Sequence, residues 1–186
     1  NLITSILWRL MPATERRMLL SLAPQYRQRH IERILKGRAA YQPCFDQHQA
    51  LFIHVPKSAG RSVVRGLFDV RSVEHAPADW YQQLDPDRFQ RYFKFTFVRN
   101  PWDRLVSEYN AAIRKNRRRR HRKIVKMNDF SEYVAYEISR DKLAQLPKTL
   151  NLQGNMGLDF VGRFENLYED FSQVCKVLDI EITLQK

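Results

Sequence analysis

The chain has 186 residues, 44% of them hydrophobic and 12% aromatic, which suits one folded domain with a real core and excludes an intrinsically disordered chain. Its formal net charge is +12, and residues 114–126 (RKNRRRRHRKIVK) hold nine Lys or Arg and no acid, leaving +3 for everything else. Charge focused in this way predicts an anionic partner or surface without naming it.

Residues 1–38 alternate apolar and basic groups at helical spacing, with Thr14 placed to cap a helix and Pro24 interrupting it. They read as a helical N-terminal arm over residues 1–40, packed on the domain or laid as a basic amphipathic helix on a membrane or partner. Residues 41–186 read as the main α/β domain. The chain begins at Asn1 rather than Met, so loss of a preceding segment is expected. Cys44 and Cys175 form no metal-ligand spacing, no Asn-x-Ser/Thr acceptor occurs, and no apolar run reaches the length of a membrane span.

From Leu51 onward strand and helix patterns alternate. Leu51–Val55 reads as a buried strand and Ser62–Phe68 as the helix after it; Phe93–Val98 (FKFTFV) is aromatic and β-branched, hence a second strand. Asn100, Pro101 and Asp103 start a helix as N-cap, first helical residue and dipole-matched acid. Trp102, Leu105, Val106, Tyr109 and Ile113 then mark a buried face, and the basic run extends the same helix. A helix is expected over Asp129–Leu146 and a short strand over Asp159–Phe164. Asn166 to Glu169 resembles a capping box for a last helix. The alternation predicts a central parallel sheet of about five strands flanked by helices, a P-loop-like three-layer α/β fold.

In such sheets ligands sit at the carboxyl ends of the strands. After the first strand, Lys57, Ser58, Ala59, Gly60, Arg61 and Ser62 make a tight turn into a helix, where backbone N–H groups lack intrahelical partners and the dipole is positive. Small side chains admit an anion to that backbone, and Lys57, Ser58 and Ser62 add donors. After the second strand comes Arg99, a planar fork suited to phosphate, with Ser107 two helical turns later. One ligand with two separated anionic groups accounts for both sites. Lys57 precedes Gly60, the reverse of a Walker A loop, which argues against a nucleoside triphosphatase or kinase.

The order Pro-Lys-small-small-Gly-x-Ser, followed by Phe-x-Phe-Val-Arg-Asn-Pro-Trp-Asp-Arg-Leu-Val-Ser-x-Tyr, resembles the sulfotransferases that use 3′-phosphoadenosine 5′-phosphosulfate (PAPS). Within them it is most similar to the carbohydrate group that includes heparan sulfate 2-O-sulfotransferase and its bacterial relatives. A weaker match, Gly162-Arg163-Phe164-Glu165-Asn166-Leu167, extends the resemblance toward Ile180. It implies transfer of a sulfuryl group to a hydroxyl of an acidic or neutral glycan, releasing adenosine 3′,5′-bisphosphate, with no metal. Residues Lys57 to Ser62 would hold the 5′-phosphosulfate, Arg99 and Ser107 the 3′-phosphate, and Lys57 would stabilise the leaving oxygen. His75 falls where this family often places its catalytic His, and an imidazole suits the task of general base; Glu74 is the reserve.

Two other readings stand beside this one. The basic run suits a module binding nucleic acid or an anionic membrane surface, although no zinc spacing, RNA-binding aromatic pattern or helix-turn-helix accompanies it. Arg61, where a small hydroxyl residue is usual in the family, and the short connection 145–158 suit a degenerate, non-catalytic sulfotransferase-like domain. The expected location is the cytoplasm, with association at a membrane, or the Golgi lumen for a eukaryotic chain that has lost an anchor.

Overall fold

The structure is a computed structural model that describes residues 41–186 except 74, 116–118, 128, 140–144, 146–147, 151–153, 183 and 185–186. The arm expected over 1–40, and Glu74, lie outside the described residues. Three strands form the sheet: β1 (Ala50–Phe52), β2 (Phe93–Val98) and β3 (Phe160–Arg163), in the order β1-β2-β3 and all parallel. About five were expected, and among the described residues the sheet consists of the three placed from the sequence.

β2 is the central strand because its composition fits no other place. Lys94, Phe95, Thr96 and Phe97 are all buried, so both faces of the strand are covered, as a parallel sheet requires. Each polar member has a partner. The Thr96 hydroxyl donates to the Ile53 carbonyl across the β1 edge. Lys94 Nζ donates to the Tyr92 carbonyl at 2.8 Å and pairs with Asp159 at 2.8 Å, while Asp159 also accepts from the Lys94 backbone N–H at 2.7 Å. Gly162 in β3 is required by Phe97: a Cβ there would lie 2.5 Å from the aromatic ring.

The connection from β1 to β2 carries α2 (Gly60–Phe68), α3 (Ala78–Leu84) and α4 (Pro86–Arg91), after a short α1 (Pro43–His48) ahead of the sheet. α1, α3 and α4 were not anticipated. Each is short, yet α4 has a legible start, with Pro86 at its first position and the Asp85 side chain accepting from the Arg88 N–H at 3.0 Å. Gly66 lets Phe171 and Leu184 close on α2, since a Cβ there would lie 2.9 Å from Leu184 and 3.3 Å from Phe171.

α5 (Pro101–Lys115) begins as its sequence requires, with Asn100 Oδ1 accepting from the Trp102 N–H at 3.0 Å. Its buried face matches the expected one at Leu105 and Tyr109 and departs from it elsewhere. Leu105 and Ala112 are buried, whereas Trp102 is 63% exposed and Val106 and Ile113 are also exposed. At 100° per residue the two stripes are neighbours, and packing selects the one holding small Ala112, which Ile124 and Tyr133 approach. The basic run does not extend α5 either. Arg119–Val125 forms a separate helix, α6, held on α5 by buried Ile124.

α7 (Phe130–Ser139) starts at Asp129, whose Oδ1 accepts from the Glu132 N–H at 2.9 Å. β3 runs through a 3₁₀ turn (Phe164–Asn166) into α8 (Leu167–Val177). Asn166 makes no side-chain cap bond, so the expected capping box is absent. Cys44 and Cys175 are both free and buried. Among the described residues no helix is long and apolar enough to cross a membrane.

Removing the carboxylate that serves both the backbone and the ammonium of Lys94 should be costly, because the ammonium stays buried without its counter-charge. Asp159→Ala is expected to lower stability by about 2–3 kcal/mol in urea titration, with an unchanged m-value.

Candidate active site

All three strands are parallel, so their carboxyl ends share one edge of the sheet, and the first residues beyond each end meet there. Ile53 extends the β1 pairing by donating to the Phe95 carbonyl at 2.9 Å. His54 and Val55 follow, both buried, and the chain then turns through Pro56, Lys57, Ser58 and Ala59 into α2. Lys57 (φ +71°) and Ala59 (φ +59°) adopt left-handed backbone, a conformation costing roughly 1–2 kcal/mol per non-Gly residue. Local strain of this kind curls successive N–H groups toward one point, the geometry of an anion-binding nest. Ser62 and Val63 donate to the Ala59 carbonyl at 2.8 and 3.1 Å, closing the first turn of α2. The N–H groups of Gly60 and Arg61 precede any intrahelical acceptor and lie at the positive end of the helix. Ser58 Oγ is buried with no hydrogen-bond partner, while Arg61 and Ser62 are exposed.

Gly60 is fixed by its neighbour rather than by its own backbone. A Cβ at this position would lie 2.0 Å from His54 Nε2, so the imidazole occupies the space that any other residue would need. The His54 ring is 5% exposed, stacks on Phe52 at 5.4 Å and faces the His75 ring at 3.9 Å. Burial first, then the neighbouring His75 and the positive charges of Lys148 and Arg61, push its pKa down to about 3. His54 is therefore neutral at physiological pH and acts as packing, as expected of a strand-end His.

His75 is exposed and joins the loop through that stack. Its Nδ1 lies 3.4 Å from the His54 carbonyl, which can only accept, so this contact favours a proton on Nδ1. Lys148 Nζ donates to the His75 carbonyl at 3.1 Å and brings another positive charge to the same edge.

Arg99 follows β2 directly. Its guanidinium stacks on Phe164, the first residue after β3, at 4.0 Å, and Nη1 donates to the Lys57 carbonyl at 3.4 Å. Nε of Arg99 is buried with no hydrogen-bond partner. Glu165 accepts from the Asn100 N–H at 2.7 Å; this bond, aided by Arg99 and Arg163, holds its carboxyl below the usual range. Lys57, Arg99 and His75 thus come together through Lys57 backbone and His54. Ser107 lies farther along, half-buried two turns into α5. Three contributors escaped the sequence reading: the His54 ring as spacer for Gly60, Phe164 as platform for Arg99, and Gln145, whose side chain bonds the Arg99 backbone. Phe164 lies in a motif that was read; the other two depend on contacts that no local pattern announces.

A parallel α/β sheet with a strained, Lys-bearing loop after one strand and a stacked Arg after the next is a P-loop-like arrangement. The chain belongs to the sulfotransferase family, whose family model matches residues 44–185. It is 26% identical to carbohydrate sulfotransferase 14 of Danio rerio over 197 residues, covering 83% of this chain and 50% of that protein. It is 32% identical to an uncharacterised protein of Archaeoglobus fulgidus over 94 residues, covering 50% of this chain and 72% of that one. The chain thus spans half the length of the Danio rerio relative. No solved structure matches.

Gly60→Ala should destabilise the fold by driving His54 from its site, and His54→Ala should cost stability by leaving a cavity. Combined, the new methyl occupies the vacated space, so the double variant should lose less than the sum, by about 1–3 kcal/mol in a double-mutant cycle. Titration gives a second check. Because the folded pKa of His54 lies near 3 and the unfolded value near 6.5, the unfolded chain binds the extra proton between them. Stability should therefore fall as pH drops below 6.5, by up to about 1.4 kcal/mol per unit from this group, and His54→Gln should remove that component.

Proposed function

We propose that this domain transfers the sulfuryl group of PAPS to a hydroxyl of a carbohydrate acceptor. The meeting of two anion-binding loops, with Arg99 Nη1 at 3.4 Å from the Lys57 carbonyl, is the observation that carries the reading. A donor with a 5′-phosphosulfate and a 3′-phosphate needs two such sites at a fixed separation. The residues fit it: the buried Ser58 hydroxyl and Arg99 Nε have no hydrogen-bond partner, and the backbone before α2 is left-handed at Lys57 and Ala59. The name of the Danio rerio relative supports a carbohydrate as acceptor.

In this reading the loop Lys57, Ser58, Ala59, Gly60, Arg61 and Ser62 binds the 5′ end, and Arg99 with Ser107 binds the 3′-phosphate. The bound donor supplies an activated sulfuryl group, with adenosine 3′,5′-bisphosphate as the departing product. His75 Nε2 takes the proton of the acceptor hydroxyl as its oxygen bonds to sulfur and the sulfur–oxygen bond to the leaving phosphate breaks. The His54 carbonyl holds His75 in the required tautomer, and the Lys57 ammonium stabilises charge on the departing oxygen; preorganised donors of that kind contribute roughly 10²–10³ in rate. Arg122, Lys123 and Lys126, all exposed on or just after α6, give an acidic glycan a complementary surface.

Calorimetry with adenosine 3′,5′-bisphosphate tests the donor site. Wild type should bind, and Lys57→Ala and Arg99→Ala should each weaken binding by about tenfold or more. His75→Ala should keep the nucleotide affinity and lower turnover by roughly 10²–10⁴. Absence of nucleotide binding by wild type would end this reading, and tight RNA binding in its place would favour a nucleic-acid module built on the basic run.

A further inference from the structure

Gln145 stands 46 residues after Arg99 and holds its backbone at both polar groups. Oε1 accepts from the Arg99 N–H at 3.1 Å, and Nε2 donates to the Arg99 carbonyl at 2.6 Å. A primary amide carries one acceptor and a donor pair at fixed spacing, so the two bonds together select one orientation of the amide and one course of the backbone. The position matters because β2 ends at Val98. Arg99 is the first residue past the strand, and Gln145 continues there the pairing that a neighbouring strand would otherwise supply.

The guanidinium is supported separately, by the Phe164 ring at 4.0 Å and the Lys57 carbonyl at 3.4 Å. An Arg side chain is rich in rotamers, and ordering it on binding subtracts from affinity. Fixing the backbone from which the side chain starts removes part of that cost beforehand. Glutamate at position 145 would keep the acceptor for the Arg99 N–H but set an anion against the Arg99 carbonyl.

We propose that Gln145 is a positioning residue for the second anion subsite: it fixes Arg99 so that the guanidinium meets the 3′-phosphate of the donor nucleotide. The inference rests on the reading, given under Proposed function, that Arg99 binds that phosphate.

The test compares two nucleotides of which only one bears a 3′-phosphate. Calorimetric affinities for adenosine 3′,5′-bisphosphate and for adenosine 5′-phosphosulfate, which lacks the 3′-phosphate, are measured on wild type, Gln145→Ala, Gln145→Glu and Arg99→Ala. Gln145→Ala should weaken the bisphosphate by roughly 5–20-fold and leave adenosine 5′-phosphosulfate within about twofold. Gln145→Glu should lose at least as much, again only for the ligand bearing the 3′-phosphate, and it carries the comparison alone if the alanine variant does not fold. Equal weakening of both nucleotides would reduce Gln145 to a structural role, and no weakening of either would overturn the inference as well. Arg99→Ala separates the two levels of failure. If it discriminates between the nucleotides and the Gln145 variants do not, only the role of Gln145 falls. If it does not discriminate, the assignment of the 3′-phosphate to Arg99 falls, and Gln145 with it.

Discussion

The parallel register of β1 against β2, with Ala50 opposite Phe93 and Phe52 opposite Phe95, is the constraint on which the site depends. It delivers two loops, separated by some forty residues of chain, to the same edge of one sheet. β3 adds a third strand end in the same direction, which is why Phe164 lies under Arg99 and Glu165 reaches the Asn100 N–H. An antiparallel arrangement of the same strands would send one loop to the far edge. The cost of the arrangement is that β2 is buried on both faces, and its two polar residues need dedicated partners: the Ile53 carbonyl for Thr96 and Asp159 for Lys94.

At the edge itself, burial and exposure divide the labour between two imidazoles. His54 is enclosed by Phe52, Gly60 and His75, so the charged form is too poorly solvated to exist near neutrality. A neutral ring can pack tightly against the backbone of the loop before α2. His75, on the outer side of the stack, is exposed. The same residue type thus serves as filler and as candidate base, and only environment separates the two.

Much of this was readable in the amino-acid order. β2 coincides with its aromatic and β-branched run, α5 begins at its Asn-Pro pair, and the Lys-before-Gly loop falls at a strand-to-helix turn because each signal is local. The misreadings share another origin. Trp102 and Leu105 are both compatible with a buried helical face, and only the helices that dock beside Ala112 decide between adjacent stripes. The basic run scores as helix throughout, yet Ile124 folds it back on α5, a choice made by burying one side chain. Gln145 and Arg99 are linked across 46 residues, and nothing in the composition around either one foretells it.

The segment that holds Arg99 through Gln145 also reaches the His75 carbonyl through Lys148, three residues on. One short piece of chain is therefore shared by the loop assigned to the donor nucleotide and the loop assigned to the acceptor proton. Free-energy coupling between two sites is reciprocal. A shift of Gln145 on binding at Arg99 would be felt at His75 with the same sign and size as the reverse. Under the proposed assignments, donor occupancy and the readiness of His75 would then be linked through Gln145 and Lys148.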